Sequence, residues 1–138
     1  MIVNTKVRYG LRTVIELAKD KDRQGMLQKE ISLNQNISIK YLDTIIASLK
    51  SSGLVRNISG KGSGYILTKK PSNITVYDVY QAFESELSIV FCVKNKGICG
   101  YESQCISQSF WDELNLVMEK KMSETTIADL LKSKVADI

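Results

Sequence analysis

The side chains best suited to chemistry in this sequence are three thiols, Cys92-x6-Cys99-x5-Cys105, inside 14 residues that also hold Gly97 and Gly100. Such a segment is flexible enough to wrap one small metal centre, and thiolate ligands suit iron-sulfur clusters or zinc. The spacing differs from the paired Cys-x2-Cys ligands of a zinc ribbon, and three thiolates leave one coordination position unfilled. An incomplete shell suits a sensor. Free thiols in a loop, a redox-active cysteine switch without metal, and a structural zinc site are the competing readings. The chain has no histidine, which removes serine triads, Cys-His nucleophiles, His-ligated zinc hydrolases and HExxH motifs together.

A chain of 138 residues holds one domain, or a small domain with an extension, and excludes multidomain enzymes. Its 43% hydrophobic and 25% charged residues are those of an ordinary globular chain. The longest nearly apolar run, Leu87 to Val93, is interrupted by Ser88 and is far short of the ~20 residues of a membrane helix. The first residues, Met1 to Lys6, lack the zones of a signal peptide. The expectation is a cytoplasmic protein with no membrane partner, where an odd number of cysteines is not a disulfide framework. Charge is segregated: residues 1–70 carry 13 basic against five acidic residues, and residues 71–138 six against ten. A basic first half suited to a polyanion and an acidic second half with another task follow.

The elements that must position these groups can be read in turn. Val7, Leu11, Val14, Ile15 and Ala18 recur at helical steps from Thr5 to about Lys19, with Asn4 or Thr5 as cap. Asp20 to Gly25 is a loop, a short helix follows from about Gln28 to Leu33, and Asn34-Gln35-Asn36 breaks it. Ser38 caps a third helix to about Ser51, with Leu42, Ile45, Ile46 and Leu49 on its apolar face and Gly53 beyond its end. Two helices joined by a short turn are a helix-turn-helix pattern.

Strand-like runs at Leu54–Ile58 and Tyr65–Thr68 then flank Ser59-Gly60-Lys61-Gly62-Ser63-Gly64, giving a hairpin with a basic glycine-rich tip, a wing. A Walker-type phosphate loop would need a helix after the glycines, and a strand follows. Thr75 caps a fourth helix carrying Val76, Val79, Tyr80 and Phe83. A long helix from about Gln104 to Met122 carries Ile106, Phe110, Leu114, Val117, Met118 and Met122, and Thr126 to Leu131 closes the chain with Ile127, Leu130 and Leu131 inward. The apolar stripe of the long helix exceeds the needs of a small domain, so a second copy of the chain is expected to cover it, with packing on the winged domain of the same chain as the alternative.

The fold class is therefore mainly α with a small β-hairpin wing. Residues 1–84 form a winged helix-turn-helix domain, 85–105 a cysteine loop, and 106–138 a dimerisation helix and tail. In such a domain the early residues of the second helix reach base edges. The exposed candidates are Ser38, Lys40, Tyr41, Asp43, Thr44 and Ser48. Lys40 donates to guanine or phosphate, Thr44 touches a base or a thymine methyl, and Asp43 either accepts from a cytosine amine or merely offsets Lys40. Arg8 and Arg12, with Lys6, Arg56 and Lys61, form a candidate phosphate clamp.

Lys29-Glu30-Ile31, Ile37-Ser38 with Tyr41-Leu42, Gly53-Leu54-Val55, Gly60-x-Gly62-x-Gly64-Tyr65 and the three-cysteine loop ahead of Trp111 together resemble the Rrf-two family of bacterial winged-helix regulators, of the IscR, NsrR and CymR type. The resemblance covers nearly the whole chain. It implies a non-enzymatic transcriptional regulator, a homodimer joined by crossed C-terminal helices that binds a palindromic operator in double-stranded DNA. It also implies an iron-sulfur cluster, [2Fe-2S] or [4Fe-4S], on Cys92, Cys99 and Cys105, through which redox state, nitric oxide or iron-sulfur status alters DNA binding. The CymR branch implies instead control by a regulatory partner protein with the cysteines as simple thiols.

Three positions depart from the family. Gln108 stands where iron-sulfur biogenesis regulators carry a histidine, Arg8 where nitric oxide sensors carry an aspartate, and Ser59 where the wing carries an arginine. The fourth ligand is left open among Glu102, Gln108, Asn4 and a small exogenous molecule.

Overall fold

The structure, a computed structural model, describes residues 3–60, 62–84, 87, 88 and 106–133. Lys61 and the three cysteines lie outside the described residues. Helix α1 (Thr5–Ala18) starts at Asn4, whose side-chain oxygen accepts from the Val7 amide at 2.9 Å and so satisfies one of the free amides of the first turn. Its apolar face buries Val7, Val14, Leu17 and Ala18. The following loop is held by Asp20, whose carboxylate accepts from the Gln24 and Gly25 amides at 3.2 and 2.9 Å.

Helix α2 (Gln28–Gln35) runs two residues further than expected. Asn34 and Gln35 stay helical because their side chains bond to Glu16 of α1. Asn36 ends the helix in the left-handed region at φ 53°, a conformation Asn adopts more readily than most residues. Ser38 then caps α3 (Ile39–Ser51) by accepting from the Tyr41 amide at 3.2 Å.

Strands β1 (Val55–Asn57) and β2 (Tyr65–Leu67) pair antiparallel, with Val55 opposite Leu67 and Asn57 opposite Tyr65. A contact not foreseen adds to this hairpin: Met26, in the α1–α2 loop, exchanges two backbone hydrogen bonds with Tyr65 at 2.8 and 3.0 Å. The backbones of Gly25 and Gly64 meet beside it, and a Cβ on Gly64 would come within 3.2 Å of the Gly25 carbonyl carbon. Gly64 also has a φ of 96°, so two independent constraints require glycine there.

A single 3-10 turn (Pro71–Asn73) leads to α4 (Val76–Gln81), and the chain returns through α5 (Gln108–Glu124) to α6 (Ile127–Lys132). Helices α4 and α6 begin alike. Thr75 with Asp78, and Thr126 with Asp129, each form a reciprocal capping box. The two starts are stitched together, Val76 donating to Thr125 and Ile127 to Ile74, both at 2.9 Å. Ile127 thereby enters one core with Val14, Leu17, Ile31, Leu42, Ile45, Leu49 and Ile74, and Leu130 and Leu131 pack against it as expected.

Helix α5 runs two residues beyond its expected end. Its inner face carries Asn115, Met118 and Met122. Met118 and Met122 pack against Val7, Tyr80 and Leu87, while the buried Asn115 amide donates to the Leu87 carbonyl at 3.1 Å. Its outer face leaves Phe110 54% and Val117 62% exposed; Ile106, expected on this helix, lies in the turn before it, since the helix starts at Gln108, and is 96% exposed.

Candidate DNA-binding surface and cysteine segment

Helix α3 turns Leu42, Ile45, Ile46 and Leu49 into the core, which by helical geometry turns positions 40, 43, 44 and 47 outward. Lys40, Asp43 and Thr44 are exposed as expected, and Ser38 is exposed at the cap. Tyr41 and Ser48 are not on this face. Tyr41 is half-buried because its ring meets Tyr9 of α1 edge-on, centroids 5.5 Å apart, and Ser48 lies half-buried at the edge of the stripe. Ala47 takes the place expected of Ser48; the three- and four-residue steps from Lys40, Asp43 and Thr44 already pointed to it.

The outward face has an inter-helix support that the sequence did not disclose. The Gln28 amide Nε2, in the first turn of α2, donates to Asp43 Oδ1 at 2.6 Å and to the Ile39 carbonyl at 3.0 Å. Lys40 is therefore not the partner that Asp43 finds.

The proposed phosphate clamp divides in two. Lys6, Arg8 and Arg56 are exposed, and Arg56 Nη1 rests on the carbonyls of Asn57 and Ile58. Arg12 is half-buried and committed to partners within the protein. Its guanidinium donates to both the side chain and the backbone carbonyl of Gln35 and lies 5.0 Å over the Tyr9 ring. One turn along α1, Glu16 accepts from the other end of the same Gln35 amide at 2.9 Å and from Asn34 at 3.0 Å. Burial works against the charge on Glu16, but the hydrogen bonds from Gln35, Asn34 and Lys19 outweigh it and hold its carboxyl below the ordinary value. This network sets the C-terminal end of α2, and with it the turn into α3.

The wing continues past β1 through Ile58, which donates to the Gly64 carbonyl at 3.0 Å, and Ser63 closes the tip by accepting from the Ser59 amide and donating to Gly60. Lys50, near the end of α3, donates to Asn57 at 3.0 Å and sits over the Tyr65 ring, tying α3 to the wing.

The cysteine segment leaves the described fold after Leu87 and Ser88 and rejoins it at Ile106. Among the described residues no group of His, Cys, Asp or Glu could hold a metal ion. The donor set that fits an iron-sulfur cluster is the three thiolates, whose soft sulfurs match it. Of the residues weighed as a fourth ligand, Asn4 is already occupied, its oxygen by the Val7 amide and its nitrogen by Glu84. Gln108 opens α5 and is half-buried, and Glu102 lies outside the described residues. No helix among the described residues is long and apolar enough to cross a membrane.

Comparison with known proteins gives the same picture. A family model described as "Rrf2: Iron-dependent Transcriptional regulator" matches residues 3–133. Protein rrf2 of Nitratidesulfovibrio vulgaris is 32% identical over 132 residues, 96% of this chain and 88% of that protein. The HTH-type transcriptional regulator IscR of Klebsiella pneumoniae is 27% identical, over 97% of this chain and 82% of its own. Among solved structures, CymR (YrzC), the global cysteine regulator of B. subtilis, superposes with a TM-score of 0.79 at 29% identity, covering 96% of this chain and 97% of that one. IscR of T. potens superposes with 0.77 at 29%, covering 99% and 90%. With a winged helix-turn-helix and this coverage, the chain belongs to the Rrf2 family, whose members are transcriptional regulators and not enzymes.

Proposed function

We propose that this chain works in the cytoplasm as a homodimeric regulator that binds a palindromic operator and whose affinity follows the state of an iron-sulfur cluster, [2Fe-2S] or [4Fe-4S], held by Cys92, Cys99 and Cys105. The observation that carries the DNA reading is the exposed stripe of Lys40, Asp43 and Thr44 on α3, beside the wing that bears Arg56. Lys40 and Thr44 reach base edges, with Ser38 at the cap. Lys6, Arg8, Arg56 and Lys61 neutralise phosphates. Tyr41 packs α3 against Tyr9 of α1, and Arg12 fastens the end of α2 through Gln35. The exposed Phe110 and Val117 lie on one face of α5, with the exposed Ile106 in the turn before it, the surface a second copy covers.

The donor chemistry and the iron-dependent family support the cluster. When bound, it supplies a centre that reacts with oxygen or nitric oxide. The chain's part is to couple the cysteine segment to the winged domain through Glu84, Leu87 and Asn115. A second reading, a thiol-based regulator or one governed by a partner protein, is favoured by the likeness to CymR and by Gln108 in place of a histidine.

The experiment is purification without oxygen, a visible spectrum, and iron, sulfide and zinc counted per chain. It is followed by operator binding before and after oxidant for the protein and for Cys92→Ala/Cys99→Ala/Cys105→Ala. Iron and sulfide in near-equal amounts, with oxidant sensitivity lost in the variant, support the cluster. An iron-free protein that still responds through its cysteines supports the thiol reading, and zinc alone makes the segment structural.

A further inference from the structure

At the outer end of the helix-turn-helix one side chain bridges both helices. Gln28 Nε2 carries two hydrogens and gives one to the Ile39 carbonyl at 3.0 Å and the other to Asp43 Oδ1 at 2.6 Å. Ile39 is the first residue of α3, and Asp43 lies one turn on. A carboxylate on an exposed helix face otherwise samples several rotamers. Here one oxygen is tethered by a short, charge-assisted hydrogen bond, and the tether fixes where the other oxygen points. Asp43 is on the same stripe as Lys40 and Thr44.

We propose that Gln28 is a positioning residue for sequence readout: it aims Asp43 Oδ2 into the major groove as a fixed acceptor for the exocyclic amine of cytosine. Cytosine is the base that suits this acceptor. Adenine sets its N7 acceptor beside its amine, so a carboxylate there meets repulsion, and guanine and thymine present acceptors at the equivalent edge. The inference rests on α3 being the recognition helix.

The test uses the full-length protein and selection from randomised double-stranded DNA, followed by binding to the selected site and to its single-base variants. Three substitutions separate the roles: Asp43→Asn, Gln28→Met, which keeps the length but removes the donors, and Gln28→Arg, which restores donors. The expected wild-type result is a cytosine at one position of each half-site, whose replacement weakens binding about tenfold. Asp43→Asn abolishes that discrimination. Gln28→Met reduces it at least about threefold at that position alone, with other positions and the melting temperature unchanged, and Gln28→Arg restores it.

Wild-type discrimination in Gln28→Met overturns the positioning role while operator binding stands. Discrimination kept in Asp43→Asn removes Asp43 as the reader. Equal weakening at every position together with a lower melting temperature, or no restoration by Gln28→Arg, makes Gln28 a structural brace and overturns the proposal. A wild-type protein that enriches no sequence fails earlier, at the DNA-binding reading itself.

Discussion

Asn4 Nδ2 donates to Glu84 Oε1 at 2.6 Å, joining the start of α1 to the chain just after α4 across 80 residues of sequence. The same side chain caps α1 through its oxygen, so one amide begins the helix and pins the stretch that leads into the cysteines. Asn4→Ala removes both contacts and should cost about 1–2 kcal/mol. Asn4→Asp keeps the cap but sets a carboxylate against Glu84, so it should recover only part of that loss. Denaturant unfolding of the three proteins at one protomer concentration checks the order; an Asn4→Asp protein as stable as wild type would show that the Glu84 contact contributes nothing.

Gly10 lies mid-helix in α1, where replacement by Ala ordinarily gains about 0.5–1 kcal/mol. A methyl group there would overlap Cε2 and Cζ of Phe83. Gly10→Ala should therefore destabilise the protein, and adding Phe83→Leu should reverse the sign. The thermal midpoints of the single and double variants decide it, since a stabilising Gly10→Ala is incompatible with this close approach.

Glu16 receives hydrogen bonds from Asn34, Gln35 and Lys19, and its carboxyl sits below the ordinary value of 4.5. A carboxyl lowered in the folded state stabilises fully above its ordinary value, and that contribution fades as pH falls through the folded value. Glu16→Gln turns an acceptor into a donor facing donors and should cost about 1–3 kcal/mol at pH 7. The gap to wild type should narrow on acidification below about 4.5. A gap independent of pH between 7 and 3 would assign the loss to packing.

Ile127 is fully buried among Val14, Leu17 and Ile74. Ile127→Ala should cost about 2–5 kcal/mol through the lost side chain and the cavity left behind. Truncation of an exposed residue of the same segment, Lys132→Ala, should leave stability within about 0.5 kcal/mol. Urea midpoints of both variants distinguish a closing helix that belongs to the core from one that merely trails it.

What could be read from sequence follows the range of the forces. The caps at Asn4, Ser38, Thr75 and Thr126 need only a side-chain oxygen near the free amides of a first turn, a requirement met within three residues. The inward face of α3 declared itself by period, and that of α1 in part: Val7, Val14 and Ala18 are buried, Leu11 and Ile15 are half-buried, and the buried Leu17 is not among the expected residues. Five contacts had no local signature: Gln28 on Asp43, Arg12 and Glu16 on the two ends of Gln35, Met26 beside Tyr65, and Phe83 against Gly10. Each joins residues whose spacing carries no period, and each depends on how separate elements are brought together. Arg12 shows the consequence for the site, because a basic residue one turn from Arg8 reads as a phosphate contact until its partner in α2 is known. The outward place of Ala47 was within reach, since the period assigns it whatever its chemistry.

The stitched starts of α4 and α6 make α5 a handle fastened to the winged domain along its inner face and again at its end, where Thr125 meets Val76. A free arm would let two joined domains swing independently. A handle would not: in the homodimer proposed above, two copies gripping through Phe110 and Val117 would behave as the jaws of a caliper, with the gap between their α3 helices set by the grip. Half-sites on one face of DNA lie about 34–36 Å apart, so a small rotation at the grip can open or close the fit to an operator while each winged domain keeps its own shape.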